Sequence, residues 1–189
     1  MVSFCTEKDS WGSRFIIFTV PLPDQPPVFM SMKMPEYGSE KSGIVIVDSE
    51  KFLQLWRNDP HSICAVANDN PQTWPNDSKY SEAMKGFSFG YADPAPLAFV
   101  AHDTATRTTV SHKFLWFGKR ELHEPFNYVA FTNGVTRTIW LLSQGCKAFP
   151  ILCELPGARE LHRTAAMPGT PLYTIEELSK VAGSVSVQR

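Results

Sequence analysis

Between an apolar run, Phe126 to Phe131, and a stretch with helical spacing, Val135 to Gln144, stands Thr132-Asn133-Gly134-Val135-Thr136-Arg137. A strand that turns through Asn-Gly straight into a helix aims free backbone N–H groups and the positive helix end at one point, where Arg137 adds a guanidinium. Such a point suits a phosphate, with Thr132, Asn133, Gly134, Val135, Thr136 and Arg137 as its binding turn. Val135, Ile139 and Leu142 fall on one helix face, Trp140 and Leu141 widen it, and Gly145 is a natural stop. Phe149 to Cys153 then reads as a return strand, so the unit is β-α-β.

Upstream, Phe15 to Val20 and Val28 to Met34 read as strands closed by proline, with Pro21 to Pro27 as a stiff connector. Gly43 to Val47 is a short apolar strand. Asp48 or Ser49 can cap the helix after it, where Phe52, Leu55 and Trp56 share a face that belongs to a core. Residues 61–96 are rich in Asn, Asp, Pro, Ser and Gly and read as a loop-rich insertion. Leu97 to Ala101 is a strand, and Thr174 with Glu177 forms a capping box for a terminal helix. Residues 183–189 are expected to fray. At 189 residues with 43% apolar side chains, the chain can bury one good core, and one α/β (α+β) domain over 1–189 with a mixed sheet is expected.

The net charge of −1 means that nucleic-acid contact must come from a local patch. Arg107, Lys113, Lys119 and Arg120 form one, interleaved with Phe114, Trp116 and Phe117, which suits single-stranded DNA held by charge and stacking. A buried aromatic strand with solvated ends fits the same residues equally well. Four cysteines without CxxC spacing predict a reduced compartment and no structural metal. The N-terminus lacks the order of a signal peptide and no apolar run approaches ~20 residues, so a bacterial cytoplasmic protein is expected, touching the inner membrane only through a protein partner. Cys146 beside Lys147 is either a reactive thiol or, as for most such cysteines, a small apolar residue.

The run Val129 to Trp140, with Gly145 and Pro150, resembles the conserved segment of the ParB/sulfiredoxin fold. Within that fold the chain is most similar to the plasmid fertility-inhibition factors, the group that includes oncogenic-suppression proteins. The likeness extends to Trp11-Gly12 and to Leu55 through Asp59. It implies a nucleotide bound at the Gly-x-x-Arg turn, ATP as ligand and substrate with Mg²⁺ as the candidate metal, and both ATPase and DNase activity. The implied partners are the transferred DNA strand and the coupling protein of a type IV secretion system, through which transfer is blocked. Gly134 would admit the phosphate, Arg137 neutralise it, and Asn133 cap the helix; the Thr136 hydroxyl stands where the family often has His or Arg.

Val135 replaces the cysteine that sulfiredoxins place two residues before the arginine, so sulfinic-acid repair is not expected. It also replaces the Glu by which nucleotide-binding ParB proteins help hold a metal, so any acidic partner must come from elsewhere. Glu124, paired with His123, is the first choice as base beside Arg137 and Thr136, and His102-Asp103 the second. His-Glu before proline is more commonly a solvated turn. The rival reading has no chemistry: an interaction protein that keeps the fold as a scaffold and masks the coupling protein.

Overall fold

A computed structural model describes residues 1–9, 13–34, 41–61, 64–112 and 119–178. Alternating apolar positions build two antiparallel hairpin strands, β2 (Arg14–Leu22) and β3 (Gln25–Lys33), flanked by β1 (Ser3–Lys8). The proline-rich connector between β2 and β3 is only a tight turn, in which Asp24 takes a left-handed φ of 55°. Prolines 21, 26 and 27 are accommodated within the strands on either side of it.

The fully apolar β4 (Ser42–Asp48) leads into α1 (Ser49–Arg57), whose first turn is capped by the Asp48 carboxylate accepting from the Glu50 and Lys51 amides. Residues 61–96, expected as loop, hold helices α2 (Cys64–Asn68) and α3 (Tyr80–Ser88) and short 3-10 turns at Trp74–Asn76 and Gly90–Ala92. Their polar composition hid them because each buries little: Ala83 and Phe87 are the buried residues of α3. A two-residue strand, β5 (Ala95–Pro96), then runs parallel to β3.

Two long strands follow, β6 (Ala98–His112) and β7 (Lys119–Asn133), then α4 (Val135–Ser143), β8 (Ala148–Glu154), α5 (Leu155–Ala165) and β9 (Tyr173–Thr174). The first sheet has the order β1-β2-β3-β5 and the second β7-β6-β8-β4-β9. In the second, β6 and β8 are parallel and the other neighbours antiparallel, so the domain is mixed α+β. The β-α-β unit is real in sequence, but β6 lies between its two strands, and β7 and β8 run in opposite directions.

The core sits between sheets and helices. Phe52 and Trp56 of α1 are fully buried and meet Phe131 of β7 edge-on, at ring distances of 5.8 and 4.7 Å. Ser49 fastens the start of α1 by donating to the Cys146 carbonyl at 2.5 Å. At the C-terminal end, Thr174 and Glu177 form the expected reciprocal box: the Glu177 amide donates to the Thr174 hydroxyl, and the Thr174 amide to the Glu177 carboxylate. Residues 183–189, Trp11-Gly12 and the aromatic run 114–117 lie outside the described residues. Among the described residues no helix is long and apolar enough to cross a membrane.

Candidate functional site

Strand β7 ends at Asn133 and α4 begins at Val135, so Gly134 is the only residue in which the chain can reverse. It does so with φ 95° and ψ 14°, a left-handed geometry open to glycine at little cost. A Cβ there would stand 2.5 Å from the Ala98 Cβ. The bare face of Gly134 is therefore turned to β6, and its glycine serves the close approach of turn and strand. Asn133, expected as the cap, is one residue early: Gly134 is the N-cap, and no side chain caps the helix start. The Asn133 carboxamide oxygen instead accepts from Arg137 Nη2 at 3.5 Å.

Arg137 lies back over this turn, Nη2 also donating to the Leu97 carbonyl at 3.5 Å, while its buried Nε has no partner among the described residues. Burial pulls the guanidinium below its ordinary pKa, although it stays charged at neutral pH. Among the described residues no carboxylate lies within 4.0 Å of it. A half-buried guanidinium that has no such carboxylate beside it is a positive charge that an anion would neutralise.

The turn opens into a cavity of about 470 Å³, within the range of small-molecule sites. Asn133, Gly134, Val135, Thr136 and Arg137 form one wall; Thr132 lies outside it. Helix α3 supplies Lys79 from its cap position together with Glu82, Ala83 and Gly86. Phe89, Asp93 and the segment Pro94 to Pro96 complete the lining. Two cations and two carboxylates thus face a helix start whose amides have no side-chain acceptor. Two carboxylates together with phosphate oxygens match the ligand habit of Mg²⁺; among the described residues no group of three or more His, Cys, Asp and Glu could hold a metal alone.

The acidic partners expected from sequence lie elsewhere. Glu124 sits nine residues up β7 from Asn133, roughly 30 Å at strand rise, opposite Arg107 and exposed. Glu124 cannot serve as base beside Arg137 and Thr136 in this conformation. Its neighbour His123 meets Thr108, 3.0 Å from the hydroxyl, and Glu121 at 3.9 Å, because adjacent strand residues face opposite ways. His102 lies toward α5, near Gly157, and Asp103 pairs across to Tyr128. Sequence reasoning missed Lys79, Glu82 and Asp93 because they belong to the stretch read as loop. Glu82, the one acidic residue of α3, gave a faint signal, but only folding brings it to the cavity of residue 137.

The proposed DNA patch divides. Strand β6 is paired with β8 only at Ala98 to Val100, so beyond it β6 and β7 project as a two-stranded arm. Arg107 lies on this arm with its guanidinium carbon 5.0 Å from the Phe126 ring centre, a cation–π contact. Lys119 and Arg120 are placed only by backbone pairing to His112 and Ser111, and Lys113 lies outside the described residues. Cys146 is no reactive thiol: it is buried, and burial pushes its pKa up to about 11.

Comparison with known proteins fits this architecture. Residues 44–166 match the family described as Plasmid Fertility inhibition factor, a span that holds every residue of the cavity wall. The chain is 26% identical over 147 residues to the protein Osa of Shigella flexneri, covering 76% of this chain but only 64% of that protein's length. The crystal structure of oncogenic suppression activity protein, a plasmid fertility inhibition factor solved as a gold(I) cyanide derivative, superposes with a TM-score of 0.68 at 22% identity. That likeness covers 97% of this chain and 84% of the other, and at such identity it speaks for the fold. With more than half of its residues inside the matched segment, the chain belongs to the plasmid fertility inhibition factor family.

Proposed function

We propose that this fertility inhibition factor binds ATP or a related nucleotide in the cavity at Gly134 to Arg137, hydrolyses it, and cleaves phosphodiesters of DNA. In this way it would block DNA transfer through a type IV secretion system at the coupling protein. The observation that carries the reading is the half-buried Arg137 guanidinium on the cavity wall, without a carboxylate neighbour among the described residues and beside an uncapped helix start. Both features favour phosphate oxygens.

In the proposed reaction Arg137 and the helix amides hold the negative charge that develops on phosphate. A wall carboxylate, Glu82 or Asp93, takes the proton of the attacking water as the new P–O bond forms and the leaving oxygen departs with its electron pair. Glu82 and Asp93 would be the residues to hold a divalent cation, which would supply further charge neutralisation. Lys79 adds a second positive charge to the wall. The β6–β7 arm is the proposed DNA contact, through Arg107 and the basic residues toward its tip.

The test uses purified protein with ATP and plasmid DNA, with and without Mg²⁺ and a chelator, beside Arg137→Ala. Loss of both activities in the folded variant supports the reading, and full activity overturns the assignment. If wild-type protein neither binds nor hydrolyses ATP nor nicks DNA yet still binds the coupling protein, suppression works by masking, the reading that apolar Val135 at the helix start favours.

A further inference from the structure

Gly86 lies within α3 and lines the cavity. Glycine weakens a helix interior relative to alanine, so its presence calls for a reason. Backbone conformation supplies none, since Gly86 is not among the positive-φ residues, and neither does packing, because a Cβ built there meets nothing within 4 Å among the described residues. What the missing side chain leaves is room on the cavity floor. One turn further on, Phe89 is 49% exposed and lines the same cavity, a large apolar ring standing in water. Pro94 and Pro96 also line it and add rigid apolar surface.

Lys79 and Glu82 line the cavity from the helix's other end, and Lys85 stands in its last turn. Lys79 holds the cap position of α3 and Phe89 the C-cap, ten residues apart and roughly 15 Å along the axis. Helices α3 and α4 run antiparallel, Tyr80 meeting Ser143 and Phe87 stacking on Trp140, so the open floor and the aromatic ring lie toward the end of α4 that carries the Gly134 to Arg137 turn. This corner of the cavity suits a ligand with an anionic part for the turn and a flat, apolar part for the floor.

We infer that Gly86 and Phe89 receive the planar base of a nucleoside polyphosphate, which lies over the open floor at Gly86 and stacks on the Phe89 ring while its phosphates meet Gly134 to Arg137. The assignment rests on the nucleotide reading above and gives the insertion a selective role: it recognises the base, whereas the turn recognises phosphate.

Binding of ATP and of inorganic tripolyphosphate to the full chain, measured by calorimetry, separates the two. Both ligands are expected to bind the wild-type protein and to be lost in Arg137→Ala. Phe89→Ala and Gly86→Leu should weaken ATP by roughly five- to hundredfold, the range for loss of one stacked base, and leave tripolyphosphate within about twofold. Phe89→Tyr, which keeps a ring, should retain ATP affinity. Gly86→Ala should raise the melting temperature, because it strengthens the helix without a clash, and circular dichroism confirms that each variant is folded. If wild-type protein binds ATP and tripolyphosphate but the Phe89 and Gly86 variants bind ATP unchanged, the base assignment fails alone. If wild-type protein binds neither ligand, the nucleotide reading fails and takes the assignment with it.

Discussion

Gly134 satisfies two demands that no other residue meets together. Its φ of 95° disfavours any L side chain, and its Cβ position is already filled by Ala98. Gly134→Ala should therefore cost at least about 2 kcal/mol, the sum of left-handed strain and overpacking, read as a lower denaturant midpoint. The same Cβ would stand 3.1 Å from Arg137 Nη2, so nucleotide affinity should fall along with stability. Arg137→Lys is a complementary case: it keeps the charge but loses the forked donor, and should recover only part of the phosphate affinity.

At the scale of elements, the β6–β7 arm has little to hold it. An isolated two-stranded ribbon is marginal in water, and beyond Val100 this one has no pairing to β8. Replacing the arm's outer part, residues 106–125, with a two-residue Asn-Gly turn between the paired Ala105 and Phe126 should leave the melting temperature within a few degrees and ATP binding intact, while DNA affinity measured by gel shift drops sharply. If DNA binding persists, the arm is not the contact. The strand, Asn-Gly turn, helix and Gly145 stop were legible because each is written in consecutive residues. The length of β7 was not: its outer half, Lys119 to Pro125, is polar and partnered only by β6, so no burial pattern marks it as strand. The helices between 61 and 96 were hidden for a similar reason, and with them half of the cavity wall. Glu124 was the natural choice of base because it is near Arg137 in sequence; an extended strand converts that nearness into about 30 Å.

For the molecule as a whole, stability depends on keeping His102 neutral. Its Nε2 is buried without a partner among the described residues, and burial lowers its pKa below the ordinary value near 6.5; Arg163 acts in the same direction, while Glu160 and Asp103 oppose. The unfolded chain thus binds a proton at higher pH than the folded one. Stability from this group is complete above about pH 6.5 and is lost as pH falls from there toward the depressed folded value. Melting temperatures recorded from pH 7.5 to 5.5 should fall for wild type and fall less for His102→Gln; parallel curves would remove His102 from the account.

The two sheets meet at β5. Ala95 and Pro96 pair with Met30 and Ser31 of β3, and the Leu97 amide donates to the Ser31 carbonyl at 2.9 Å. Those residues also stand beside the phosphate turn, since Ala95 and Pro96 line the cavity and the Leu97 carbonyl accepts from Arg137. Anyone trimming the chain to its family-matched core, 44–166, for crystallisation or fusion would thereby unfasten one wall of the pocket. Such a truncated piece should retain the helix bearing Arg137 but hold its guanidinium loosely, and a negative nucleotide assay on it would say nothing about the 189-residue chain.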